Sequence, residues 1–102
     1  MTREERINLA HNLSTPPKTL AKLSKDEDWS VRIEVAINPS TPPEVLVKLS
    51  RDRESYVRWN VAHNLSTPPE VLLILVVDDD EDVRERAERA LSKRVQNTHQ
   101  SG

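Results

Sequence analysis

An all-α fold of helix pairs stacked in register is predicted by three features of this sequence. The hexapeptide Asn-Leu-Ser-Thr-Pro-Pro occurs at 12–17 and 64–69, with Asn-Pro-Ser-Thr-Pro-Pro midway at 38–43. The 26-residue step between copies is kept by Val31-Arg32, Val57-Arg58 and Val83-Arg84, and by Asp26, Asp52 and Asp78. No segment shows the period-two alternation of a half-buried strand. A period of this length marks arrays in which each unit buries its apolar face only against its neighbours. The expected layout is one domain over residues 1–95. Its units run about 6–31, 32–57 and 58–83, with a terminal cap at 84–95 and a disordered polar tail at 96–102.

Each element has its own signals. Thr2-Arg3-Glu4-Glu5 has the spacing of a capping box and opens a half-repeat. In the unit 41–66, Thr41 is the expected N-cap of a short first helix, with Pro42 and Pro43 in its first turn and Glu44 closing the box. Thr67-Pro68-Pro69-Glu70 repeats the arrangement, and Lys18 breaks it after Thr15. Leu46 and Leu49, matched by Leu20/Leu23 and Leu72/Leu75, form one apolar stripe on this helix, which should end near Arg51-Asp52. A second helix is predicted from Glu54, equivalent to Asp28 and Asp80, because an acid favours a helix N-terminus. It turns Val57, Val61 and Ala62 inward, with copies at Val31, Val35 and Ala36, and closes at Asn64. Gly102 is the only glycine, so Asn12, Asn38 and Asn64 are the expected left-handed residues at the helix exits. In the last copy Glu88 and Ala90 stand where Ala36 and Asn38 stood. Both ends read as polar caps, as expected of a complete array, with a fragment of a longer array or an engineered array as the alternatives.

Composition narrows the function classes. A net charge of −2 gives no general attraction to nucleic acid or anionic membrane. The longest apolar run, Val71 to Val77, falls far short of the ~20 residues that span a bilayer. The opening Met-Thr-Arg-Glu-Glu-Arg is too polar for a secretory signal, so a cytoplasmic setting is expected. The absence of cysteine excludes disulfides, thiolate metal sites and thiol nucleophiles.

The run Val-Arg-x-x-Val-Ala-x-Asn-x-Ser-Thr-Pro-Pro-x-x-Leu-x-x-Leu, from Val31 to Leu49, resembles the leucine-rich repeat variant. Its Asp-x-Asp/Glu-x-x-Val-Arg portion is similar to HEAT repeats, and the likeness covers residues 6 to about 87. The resemblance implies an α-solenoid: about three and a half helix pairs in a right-handed superhelix, with one helix of each pair short. It implies a fold and no reaction. The cysteine-ligated iron–sulfur module of some members has no ligands in this chain.

Two columns of residues are candidates for function. Arg6, Arg32, Arg58 and Arg84 recur with the period, each of the last three lying six residues after Asp26, Asp52 or Asp78. Evenly spaced arginines suit a phosphate backbone. Arg58 falls near the buried side of its helix, however, so a structural ladder of arginine–carboxylate pairs is the better reading. The second column is the outward face of the second helices. With ~100° per residue, Tyr56, Trp59, Asn60 and His63 lie opposite the buried side. With Ile7, Ile33 and Ile37 they form an apolar strip that Glu85 and Arg89 end. Trp and Tyr are favoured anchors at interfaces. The plainer reading is that Ile7, Ile33 and Trp59 pack on one another between repeats.

The expectation is therefore a non-enzymatic module binding a protein or peptide through Ile33, Ile37, Tyr56, Trp59, Asn60 and His63. Self-association through the same strip comes second. Nucleic-acid binding is the rival, disfavoured because Glu34, Asp82 and Glu85 interrupt the face. No cofactor or metal is expected. His11 and His63 share a repeat position two repeats apart, which at ~10 Å per packed helix puts them ~20 Å from one another. The acidic run Asp78 to Asp82 lacks the glycine and final acid of a calcium loop, with Val83 and Arg89 in those places. Asn12-Leu13-Ser14 and Asn64-Leu65-Ser66 match glycosylation acceptors, but no secretory signal accompanies them. No phosphate loop, nucleophile motif or acid–base pair is visible.

Overall fold

A computed structural model describes the backbone of residues 1–100 and the side chains of residues 1–95. Among the described residues there are seven helices and no strand. Three long–short pairs come first: α1 (Arg3–His11) and α2 (Pro17–Leu23), α3 (Trp29–Ile37) and α4 (Pro43–Leu49), α5 (Ser55–His63) and α6 (Pro69–Leu75). A final helix, α7 (Glu81–Gln100), follows. The longer helices α1, α3, α5 and α7 pack one on the next in a row, and each short helix lies against the long ones flanking it in the chain. The molecule is elongated, with extents of 47 × 30 × 18 Å.

The core lies between the long and short helices and repeats with the sequence. Val31, Val35 and Ala36 of α3, Val57, Val61 and Ala62 of α5, and Val83 and Ala87 of α7 fill it from one side. Leu20 and Leu23, Leu46 and Leu49, and Leu72 and Leu75 fill it from the other. Each of the fully buried leucines stabilises the fold by roughly 2–3 kcal/mol.

The Asn-x-Ser-Thr-Pro-Pro corner does more than turn the chain. Asn38 is buried and its Nδ2 donates to the carbonyls of Ala10 (2.9 Å) and Asn12 (3.0 Å) in the preceding unit. Asn64 does the same to Ala36 (2.8 Å) and Asn38 (3.1 Å). The other amide atom, Oδ1, accepts from the N–H two residues on, that of Ser40 or Ser66. Ser40 and Ser66 in turn donate to the carbonyls of Leu13 and Pro39. Corner is thus bonded to corner along the array.

Two sequence expectations about these corners are corrected. Asn12, Asn38 and Asn64 are extended, with φ of −69°, −65° and −70°, and no described residue has positive φ. The extended backbone aims the amide across to the preceding unit, so the asparagine is selected for its side chain and not for left-handed tolerance. Thr41 is not the helix cap either. The N-cap of α4 is Pro42, without a side-chain cap bond, and Pro43 follows at N1. Proline at N1 leaves no N–H of its own to satisfy, and the Val45 N–H reaches the Pro42 carbonyl (3.0 Å). Thr41 is buried and its hydroxyl donates to the Val35 carbonyl (2.7 Å), closing the loop over the end of α3; Thr15 and Thr67 do likewise to Leu9 and Val61. The box at Thr2 and Glu5 is formed, and Asp28 caps α3 through the Ser30 N–H, whereas Glu54 makes no cap bond.

In the last copy Lys93, Arg94 and Val95 occupy the Thr-Pro-Pro positions, and nothing interrupts the helix. The polar tail expected at 96–102 therefore overlaps α7, whose backbone is helical through Gln100; residues 101 and 102 lie outside the described residues. Arg94 reaches back to the carbonyls of Thr67 and Leu65, closing the final corner where Ala90 has replaced the asparagine.

Candidate interaction surface

The arginine column lies along one side of the row of long helices. Arg6 Nε lies 2.8 Å from Asp26, Arg32 Nε 2.8 Å from Asp52, and Arg58 Nε 2.8 Å from Asp78. Arg32 and Arg58 are forked, with Nη2 reaching the second oxygen at 3.3 and 3.1 Å. The carboxylate partner is 20 residues ahead, in the loop that leads into the next long helix. The aspartate six residues behind is held instead through its carbonyl, which Nη1 of Arg32, Arg58 and Arg84 each reaches at 2.7 Å. Each aspartate also accepts the N–H two residues on, so one side chain shapes the loop and ties it to the preceding long helix. Forked charged pairs of this kind are directional and strong when shielded from water.

Electrostatics follow from that geometry. Burial opposes ionisation of Asp78. Hydrogen bonds from Arg58 and the Asp80 N–H, with the Arg58 charge, outweigh it and hold the carboxyl below the usual carboxylate range. The same pairing raises the Arg58 guanidinium above its ordinary value. Asp28 is also lowered, first by the Ser30 N–H and then by Arg3. These arginines are committed to the fold and present no free row of cations.

The outward face of α3 and α5 divides by depth. Ile7, Ile33 and Trp59 are half-buried and pack against the core. Trp59 stacks on exposed His63, ring centroids 5.1 Å apart at 18°. Asn60 is half-buried and its amide donates back to the Tyr56 carbonyl (2.8 Å). Tyr56 (66 % exposed) and Ile37 (43 %) stand out into solvent. Tyr56 stacks on Trp29, 6.1 Å away at 27°, and Trp29 is itself 47 % exposed. Trp29 escapes a column-by-column reading of the sequence, because its counterparts are Ser55 and Glu81. Its signal is local: it precedes Ile33 by four residues and Ile37 by eight, and so lies in line with them on α3.

A cleft of 430 Å³ opens beside this pair, between α5 and the start of α7, lined by Ser55, Tyr56, Trp59, Asn60, Asp80 and Asp82. A second exposed apolar area lies on α6 and the turn after it. There Leu73, Ile74 and Val77 stand where the preceding copy has Val47, Lys48 and Arg51. No group of three metal-ligating side chains occurs among the described residues, and no described helix is long and apolar enough to cross a membrane.

Among known protein families, the model described as leucine rich repeat variant matches residues 29–54. That span equals the 26-residue period and runs from Trp29 at the start of α3 to Glu54 at the threshold of α5. The match is to the helical repeat family that the sequence resembles. No curated protein and no solved structure matches the chain.

Proposed function

We propose that this protein is a non-enzymatic interaction module, its helix pairs wound as a right-handed solenoid, that binds a protein or peptide through the outward face of α3 and α5. The observation that carries this reading is the exposed Trp29–Tyr56 stack, with Ile37 two turns further along α3 and His63 stacked on Trp59 of α5. Large aromatics held rigid on helices give much contact area at little entropic loss. Tyr56, Trp29 and Ile37 are the anchors, His63 and Asn60 the rim, and Ile33 and Trp59 the support beneath. Nucleic-acid binding fits this face less well. Its carboxylates, Glu34, Asp82 and Glu85, would meet phosphate, while Arg6, Arg32 and Arg58 are paired.

The test is affinity capture with the wild type beside a Tyr56→Ala/Ile37→Ser variant, two changes at exposed positions that leave helicity intact. A partner held by the wild type and weakened at least tenfold in the variant is the expected result. The control is Ile74→Lys/Val77→Arg, which restores the charges of the earlier copies on α6. Loss of the partner in that control with retention by the strip variant would overturn the proposal and move the site to α6. So would equal retention by all three proteins, or by none.

A further inference from the structure

Two equivalent grooves lie along the outward face, and only one is filled. Between α3 and α5, position 29 carries Trp and position 56 carries Tyr, and these rings stack across the groove. One unit later the same positions carry Ser55 and Asp82. Both are short, and the groove between α5 and α7 stays open as the 430 Å³ cleft. One wall is aromatic, from Tyr56 and Trp59. The opposite wall carries Asp80 and Asp82, and no lysine or arginine lines the cleft itself. Arg86, Arg89 and Glu85 line the adjoining hollow that shares Trp59 and Asp82, and Arg58 lies within electrostatic reach of Asp80.

The charged atoms of this cleft are all acceptors, while the Ser55 and Tyr56 hydroxyls and the Trp59 indole N–H can donate. Among the described residues the Asp82 carboxylate makes no hydrogen bond or ion pair. Asp80 uses one oxygen for the Val83 N–H (3.0 Å) and keeps the other. Asn60 gives one of its two amide N–H groups to the Tyr56 carbonyl, and its side-chain oxygen is left for a ligand. Two carboxylates facing two ring systems repel a carboxylate or phosphate and attract a cation. Aromatic faces add cation–π attraction to that field, and do so most effectively for cations with little hydration to lose. From this charge complementarity, and resting on the interaction reading above, we propose that the α5–α7 cleft takes a cationic side chain of the partner, an arginine or a methylated lysine. Such a side chain lays its stem along Tyr56 and Trp59 and sets its head against Asp82 and Asp80. The neighbouring Trp29–Tyr56 surface then contacts the apolar residues beside that cation.

The test uses the full chain and three small probes: N-acetyl-trimethyllysine amide, N-acetyl-arginine amide and the neutral N-acetyl-norleucine amide. Proton–nitrogen spectra follow the Trp59 indole N–H during titration. Both cations should shift it saturably, and norleucine should bind about tenfold more weakly. Asp82→Asn should weaken the cations about fivefold, leave norleucine unchanged and remove most of the salt dependence. Norleucine equal to the cations, or cation binding indifferent to Asp82→Asn, would overturn the charge assignment. Silence of the Trp59 signal with every probe would overturn it as well. The broader reading has its own arm, because a partner released by Tyr56→Ala/Ile37→Ser but indifferent to Asp82→Asn retains the surface and removes the cation site. A partner indifferent to both sets of changes removes both.

Discussion

The corners of this array and its outward helix face obey opposite rules. At the corners the residues repeat almost without change: Asn38 and Asn64, Thr41 and Thr67, Asp26, Asp52 and Asp78, Arg32, Arg58 and Arg84. On the face little repeats beyond Ile7 with Ile33 and His11 with His63. Position 29 reads Trp, Ser, Glu; position 30 reads Ser, Tyr, Asp; position 33 reads Ile, Trp, Glu; position 37 reads Ile, His, Arg. The repeating side chains spend their polar atoms on the loops and carbonyls of their own or the preceding unit, and the varying ones face solvent, each other or the edge of the core. Period-keeping positions hold the units together, and period-breaking positions are free to be specialised. Mutations at the two kinds of position should therefore fail in different ways.

The largest loss is expected at Arg32, whose guanidinium makes four hydrogen bonds, two to Asp52 and two to backbone carbonyls. Its side chain is only 5 % exposed. Arg32→Ala strands a shielded carboxylate and two carbonyls together, and about 3 kcal/mol of stability should be lost in urea denaturation. Arg32→Lys keeps the charge without the fork and should recover less than half of that. Asn64→Ala comes next. It deprives the Ala36 and Asn38 carbonyls and the Ser66 N–H of their partner, at a cost of about 2 kcal/mol by the same measurement. Neither change touches the face, so a variant that remains folded should bind its partner as before.

A smaller effect belongs to Asp78. Its folded pKa is lowered, so its contribution is complete above the ordinary aspartate value of about 3.9 and is lost as pH falls through the folded value. Denaturation at pH 7 and pH 3 should show the wild type losing stability in acid. Asp78→Asn should start about 1 kcal/mol lower and lose less over the same interval. An unchanged acid response in that variant would show that the ladder end at Arg58 adds nothing to the pH dependence.

Much of this was legible in the sequence. The period marks helix pairs, Pro43 and Pro69 mark the short-helix starts, Thr2 with Glu5 marks the opening cap, and the leucine pairs and valine–valine–alanine sets mark the core faces. What was not legible depends on the neighbouring unit. Asn38 looks like a helix exit until the Ala10 carbonyl appears 2.9 Å from its amide. Thr41 looks like a cap until its hydroxyl is found on Val35. Asp26 lies six residues from Arg32 in sequence, yet the carboxylate that Arg32 meets is that of Asp52. Local signals give the torsional preferences of a residue, and only the stacking of units decides where its polar atoms point. Trp29 was missed for the complementary reason: aligning copies finds what repeats, and Trp29 does not.

That difference between the grooves can be reversed. Ser55→Trp with Asp82→Tyr would place in the α5–α7 groove the pair that fills the α3–α5 groove. The new stack adds about 0.5–1.5 kcal/mol. Removing an acid from the first turn of α7 costs about 0.3–1 kcal/mol. The two nearly offset, so stability should stay within about 1 kcal/mol of the wild type. The cleft itself should vanish, and with it any response of Trp59 to the arginine and trimethyllysine probes. A double variant that still bound them would show that the carboxylate of Asp80 suffices and that the short side chains at 55 and 82 are not what holds the groove open. Loss of the probes at unchanged stability would show that one pair of period-breaking residues separates a closed groove from an open one on an otherwise common frame.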